Sequence, residues 1–472
     1  MKVTMNNVGK ISKAEIMVSG LTVIAAPNNT GKSTIGKALF AVFDAFANFQ
    51  NNVCDDKANS IGRILRQKYP SLQKDRLVRG PLRISTYFRR VESAGAVLAR
   101  YLVQMCNKRF VSEQDLVDAL YQAITNFDDA SYVNETSCRY YYDNKDEFVE
   151  VFNMVASDLV QDSEESKKTR MEILNYLNVD INVLSAQLID RYFDDFFKGQ
   201  FASEFIDSPN QSSLILENHS GDIIRKFSFI DGKCVEASPA EDEHRRVFIL
   251  DDPRIPELFG HDFFSARSDA RYVRRLLEVV ADQRSQVEEN PVSGLTEAVS
   301  NSEAVQQIVD MLDSSFSGCI GFNEKDFPVL STDAPVREPI RLSNTSMGVK
   351  AYTALRYLLE NAIVHDGDIL VLDEPEIHLH PEWQVAYAHA LVLAAKLLGI
   401  RLVITTHSPF FLKALVAYSG TEGIEDATHY YTAEENPKGP VSFYEIDNEG
   451  IAELYARMAA PLMKINEDVY HG

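Results

Sequence analysis

Two well-separated stretches of this chain carry the residue types of nucleotide chemistry. The first is Ala25-Ala26-Pro27-Asn28-Asn29-Thr30-Gly31-Lys32-Ser33-Thr34. It ends Gly-Lys-Ser-Thr, the phosphate-loop pattern in which backbone N–H groups ring a phosphate. Asn28, Asn29, Thr30, Gly31, Lys32, Ser33 and Thr34 are the expected ATP-binding set. Lys32 is expected to neutralise the β- and γ-phosphates, and the Ser33 hydroxyl to hold Mg²⁺. One position departs from the pattern, because its first glycine is Ala26 here. Gly31 still permits close approach to phosphate. The second stretch is Asp368-Ile369-Leu370-Val371-Leu372-Asp373-Glu374-Pro375. Asp373 is the expected outer support for Mg²⁺, and Glu374 the expected base that orients and deprotonates water.

Three more pieces follow in order. Leu342-Ser343-Asn344-Thr345-Ser346-Met347-Gly348-Val349-Lys350 opens an apolar helix over Ala351–Ile363, whose N-terminus can receive an anion. Glu376-Ile377-His378-Leu379-His380-Pro381 comes directly after Pro375. Arg401-Leu402-Val403-Ile404-Thr405-Thr406-His407-Ser408-Pro409 reads as a buried strand ending in His407, which can contact a γ-phosphate.

The elements that must position these residues are legible. Val23-Ile24-Ala25 is a short strand, and Ile35–Phe40 begins a helix whose N-terminus adds positive potential. Ile369–Leu372 runs four apolar residues straight into two carboxylates, as a fully buried parallel strand does. Ligands sit at the C-terminal edge of such sheets.

This order resembles the ATP-binding cassette ATPases. Within them, Asp-Glu-Pro-Glu-Ile-His-Leu-His-Pro and the opening Val3–Ile11 resemble the RecF/SMC-like and OLD-like branch. The resemblance covers roughly residues 1–45 and 335–415. It implies an α/β fold: an ATPase head with a mixed β-sheet and flanking helices, carrying a compact helical insertion. It also implies that two heads sandwich two ATP molecules. Ser346, Gly348 and Lys350 would then form a signature acting in trans on the γ-phosphate of the other subunit, and His378 and His380 would lie in the loop crossing that interface. A rival reading is a metal site, since His365, His378, His380, His389 and His407 crowd one region. Alternate residues on an extended segment share a face, but no third ligand stands at metal-site spacing. A glutamine loop is implied between the two halves, with Gln67 and Gln73 as candidates.

A chain of 472 residues exceeds one ordinary core. No stretch approaches the roughly 20 apolar residues of a membrane span, and Met1–Met5 lacks a secretory signal's apolar run. Five scattered cysteines without Cys-x-x-Cys fit a reduced cytoplasm and no structural zinc. The formal charge of −22 should repel nucleic acid at long range. Basic residues nevertheless cluster over Arg63–Arg90, and again at Arg267, Arg271, Arg274 and Arg275. They are either solvated faces and contacts to acidic neighbours, or a patch for DNA or a partner.

Periodicity and turn signals divide the chain into 1–85 (first part of the head), 86–200 (helical insertion), 201–260 (β-rich part), 261–334 (charged helical lobe) and 335–472 (second part of the head). Heptads are not sustained, which excludes long coiled-coil arms. Fewer than about sixty residues follow His407 and its helix, below ordinary domain sizes for a fused nuclease. The expected role is thus a slow, regulatory ATPase that oligomerises through its heads, as a dimer or a larger ring such as a hexamer, and controls a nuclease supplied by another protein. In length and compact insert the chain resembles the ATPase component of PARIS-type antiphage defence, whose partner is a Toprim-like nuclease. It resembles second the ATPase of Septu-type defence, whose partner is an HNH nuclease. A phage protein as trigger is part of that expectation, and no membrane contact is. The alternative is a RecF/SMC-like repair ATPase that binds DNA directly.

Overall fold

In a computed structural model, the structure describes residues 1–47, 49–68, 95, 97–106, 110–125, 145–201, 211–238, 245–259, 270–289, 295–325, 327–332, 338–435 and 439–470. The chain divides into two compact units. One joins Met1–Ala47 to Ser185–Gly472, and the other is Asn48–Leu184.

The first unit is a mixed α/β structure built on an eleven-stranded sheet in the order β6-β5-β4-β1-β2-β14-β13-β3-β12-β11-β7. Its chemical half is parallel. β3 (Leu21–Ala25) lies between β13 (Thr428–Glu435) and β12 (Arg401–Thr406), and β11 (Ile369–Asp373) lies between β12 and the edge strand β7 (Val247–Leu250). β3 is buried throughout, and β11 is buried up to Asp373. These strands have no polar face because helices cover both sides of a parallel sheet. The other half is antiparallel: β1 (Lys2–Val8) pairs with β2 (Ile11–Met17) and β4 (Gln211–Glu217), followed by β5 (Ile223–Ile230) and β6 (Lys233–Ala237). β14 (Val441–Glu445) joins the halves, antiparallel to β13 and parallel to β2. A small sheet of β8 (Cys319–Phe322), β9 (Pro328–Ser331) and β10 (Ile340–Arg341) completes the unit.

The described residues of 261–334 form no lobe of their own. The apolar faces of helices Arg271–Glu289 and Leu295–Asp313, through Leu276, Val280, Ile308 and Leu312, join one core with Leu358, Leu391 and Ile404.

The second unit is helical, with a core that includes Ile61, Leu65, Leu102, Leu120, Phe152 and Ile173. Within it Arg170 is buried, donating to Glu113, Leu159 O and Gln161 O. This unit begins and ends earlier than 86–200. Helix Phe49–Lys68 brings Ala58, Ile61 and Leu65 into its core, whereas Ile189 and Phe193 of helix Ile181–Phe197 fall in the first unit, where Phe193 packs on Phe201 and Phe229. Residues 126–144, within the expected insertion, lie outside the described residues. Among the described residues no helix is long and apolar enough to cross a membrane.

Candidate nucleotide site

The C-terminal edge of the parallel strands gathers the motifs. β3 ends at Ala25, and the chain turns through Pro27, Asn28 and Asn29, all exposed, into helix Lys32–Phe46. Asn29 has φ 66° and Gly31 φ 95°. The left-handed turn at Gly31, the N-cap residue, presents the helix's first N–H groups with no capping side chain. That is the arrangement an anion fills. Thr30 fastens the loop by donating from Oγ1 to Pro27 O at 2.9 Å, and Ser33 is exposed. Gly36 lets this helix lie on the sheet, since a Cβ there would stand 2.6 Å from Val371 Cγ1.

Lys32 is 5 % exposed. Its ammonium donates to Ala26 O at 2.7 Å and Pro27 O at 3.2 Å, and lies 3.0 Å from Glu374 Oε1. Ala26, in place of the usual glycine, thus contributes its carbonyl here. His407 Nδ1 lies 3.3 Å from the same Glu374 oxygen. Glu374 sits at φ 50°. Its N–H donates to Thr405 Oγ1 at 3.0 Å and Thr405 O at 3.1 Å, while the Thr405 hydroxyl donates to Asp373 Oδ1. The strained turn at Glu374 and the Thr405 bonds set both carboxylates where β11 meets β12.

Sequence reasoning missed a third carboxylate. β7 ends beside β11 and delivers Asp251 to a cleft also lined by Asp373, Glu374 and His378. Among the described residues Asp251 Oδ1 is buried without a partner, while Tyr272 donates its hydroxyl to Oδ2. Burial pushes the Asp251 carboxyl up. Its signal in the sequence is Asp251-Asp252-Pro253, two carboxylates before a proline, which has the composition of a turn. Of the glutamine-loop candidates, Gln67 belongs to the helical unit and Gln73 lies outside the described residues.

The signature residues divide. Ser346 is exposed and caps helix Met347–Glu360, accepting from Val349 N at 3.3 Å. Gly348 is buried: a Cβ there would meet His378 O at 2.6 Å, so glycine is what lets the helix rest on the loop after Glu374. Lys350 is 3 % exposed and turned inward, 2.8 Å from Glu257 Oε1 and donating to Ser343 O at 3.3 Å. Burial turns the Lys350 side chain away from the surface that a second subunit would read, and leaves Ser346 with the helix N-terminus, Gly348 included.

The histidines part company as well. His380 caps helix Pro381–Leu398, His389 pairs with Glu422 at 3.0 Å and stacks on Tyr418, and His365 contacts Arg246. Among the described residues no group of three or more metal-ligating side chains assembles. Of the basic clusters, Lys68 pairs with Asp158 at 3.5 Å inside the helical unit. Arg275 pairs with Asp44 at 3.4 Å, and Arg271 binds Asp195. Residues 69–94 and Arg267 lie outside the described residues.

The family model described as AAA ATPase domain (AAA_15) matches residues 1–412. No match was found among curated proteins. Three solved structures of SMC heads are similar. The head bound to the C-winged helix domain of ScpA has 13 % identity, 96 % of this chain and 98 % of that chain covered, and a TM-score of 0.39. The SMC head domain from Thermotoga maritima has 10 % identity, 94 % and 98 % covered, and a TM-score of 0.34. The head with a coiled coil and joint from Pyrococcus yayanosii has 10 % identity, 97 % and 98 % covered, and a TM-score of 0.36.

Proposed function

The chain belongs to the AAA ATPase domain family, and on that premise we propose that it binds MgATP and hydrolyses it slowly at a site completed by a second copy. The observation that supports this best is one oxygen, Glu374 Oε1, shared by Lys32 at 3.0 Å and His407 Nδ1 at 3.3 Å. The uncapped helix behind Gly31 and the buried, unpartnered Asp251 oxygen fit an anion and its cation at this edge. Asn28 to Thr34 would ring the phosphates, and Ser33 and Asp373 would hold the metal. Mg²⁺ held by them would supply positive charge against the phosphates. In the arrangement described, Lys32 quenches Glu374. Once Lys32 turns to phosphate, Glu374 is released to take a proton from water, with His407 beside it to orient the carboxylate. Ser346 and the first N–H groups of its helix would face the nucleotide of the second head.

The biological role in this reading is a sensor or scaffold subunit of bacterial antiphage defence. It oligomerises through its heads and controls a separate nuclease, Toprim-like or HNH, under a phage trigger. Support comes from the resemblance in length and compact helical insert to the ATPases of PARIS-type and Septu-type defence. The test is a pull-down of Glu374→Gln protein from its native host with ATP present, sized by native mass. A stoichiometric nuclease in a large assembly is the expected result. A nucleic-acid-bound dimer without a protein partner would replace this role with that of a repair ATPase.

A further inference from the structure

Glu376 is 1 % exposed, and the hydrolytic reading gives it no task. Its Oε1 accepts the Thr406 hydroxyl at 2.5 Å and the His407 backbone N–H at 3.2 Å. Its Oε2 is buried without a partner among the described residues. Burial pushes the carboxyl up, which favours the neutral acid. An unpaired buried oxygen is costly, and an apolar side chain of similar volume would avoid that cost. What the carboxyl supplies instead is the pair of bonds that end on the residue carrying the catalytic imidazole and on its neighbour.

A second tie runs alongside. Gln384 donates to Glu376 O at 3.3 Å and Leu379 O at 3.1 Å, and accepts from Ser408 Oγ at 2.9 Å. Ser408 N in turn donates to Thr406 Oγ1 at 3.0 Å. Segment 376–379 is thereby fastened to segment 406–408 on both sides of His407. The same loop presents His378 O to Gly348 at the start of the signature helix.

We propose that Glu376 is a positioning residue: its carboxyl holds His407 against Glu374 and ties it to the loop on which the signature helix rests. This rests on the ATPase reading given above. The rival role is a staple that serves stability alone.

Four full-length variants separate the two: Glu376→Leu, Glu376→Gln, His407→Ala and the double Glu376→Leu/His407→Ala. Each is followed by steady-state ATP hydrolysis, by Tm, and by hydrogen–deuterium exchange over residues 403–410. In Glu376→Leu the expected outcome is kcat lowered roughly 10-fold or more, KM for ATP within about twofold of wild type, and Tm not lowered. Glu376→Gln, which keeps the acceptor oxygen, should recover most of the rate. The double variant should be no slower than His407→Ala, because the effect passes through that side chain. Exchange at the His407 amide should quicken in Glu376→Leu and not in Glu376→Gln. Wild-type kcat in Glu376→Leu, additive losses in the double variant, or a rate loss that only tracks Tm would overturn the proposal. Were wild-type protein to show no hydrolysis, the ATPase reading would fall. The exchange arm would still decide the tie, since unchanged protection of His407 in Glu376→Leu refutes it.

Discussion

Lys32 Nζ and Glu374 Oε1 stand 3.0 Å apart, an ion pair whose cation is 5 % exposed and whose carboxylate is 21 % exposed. The two come from opposite ends of the chain and meet because β12 alone separates β3 from β11. The cation a phosphate requires is held by the carboxylate that an attacking water requires. In the function proposed above, an arriving phosphate would compete for Lys32 and, by winning it, would uncover Glu374 as the base.

Gly348 should not tolerate a methyl group. Its Cβ would lie 2.6 Å from His378 O, a backbone atom that cannot swing aside. Gly348→Ala is expected to cost about 1–3 kcal/mol of stability through overpacking, and to slow hydrolysis by displacing the loop after Glu374. Urea unfolding and turnover measured together check this. Wild-type values for both would show that the contact yields.

Lys350 should matter through stability rather than through a partner's phosphate. Lys350→Met leaves Glu257, 24 % exposed, without its cation. A loss of about 1–3 kcal/mol is expected, smaller than for a fully buried pair because water reaches the carboxylate. Adding Glu257→Gln should restore part of it. A Lys350→Met protein as stable as wild type, but unable to hydrolyse ATP, would return Lys350 to the signature.

Glu376 predicts a pH signature of folding. Burial raises its carboxyl above the ordinary 4.5. The folded state therefore holds the proton more tightly than the unfolded state does. That contribution is complete below about 4.5 and is lost as pH rises through the raised folded value. Glu376→Gln cannot titrate, so its Tm relative to wild type should climb as pH increases from about 5 toward 8. Parallel Tm curves for the two proteins would contradict the raised carboxyl.

Much of the site was legible because its strands are buried on both faces. Val23–Ala25, Ile369–Leu372 and Leu402–Ile404 are unbroken apolar runs, and each leads into its polar residues at the same sheet edge. Local chemistry marked the Gly31 turn equally well. Long-range partners were not legible. Lys350 follows Ser346 and Gly348 as a signature residue would, and only folding reveals that Glu257 takes it. Asp251 was hidden because β7 is four residues long and its Asp-Asp-Pro ending looks like a turn. The start of the helical unit was missed because helix Phe49–Lys68 is too polar along its length to show a strong stripe, although Ala58, Ile61 and Leu65 suffice to bury it.

The most direct test of the central claim is to measure ATP binding and turnover side by side in wild type, Lys32→Ala and Glu374→Gln. Lys32→Ala should lose ATP binding. Glu374→Gln should bind ATP as wild type does and hold it unhydrolysed, with turnover reduced at least about 100-fold. Equal turnover in Glu374→Gln and wild type, or full ATP affinity in Lys32→Ala, would contradict the assignment of these two residues and the account built on their pairing.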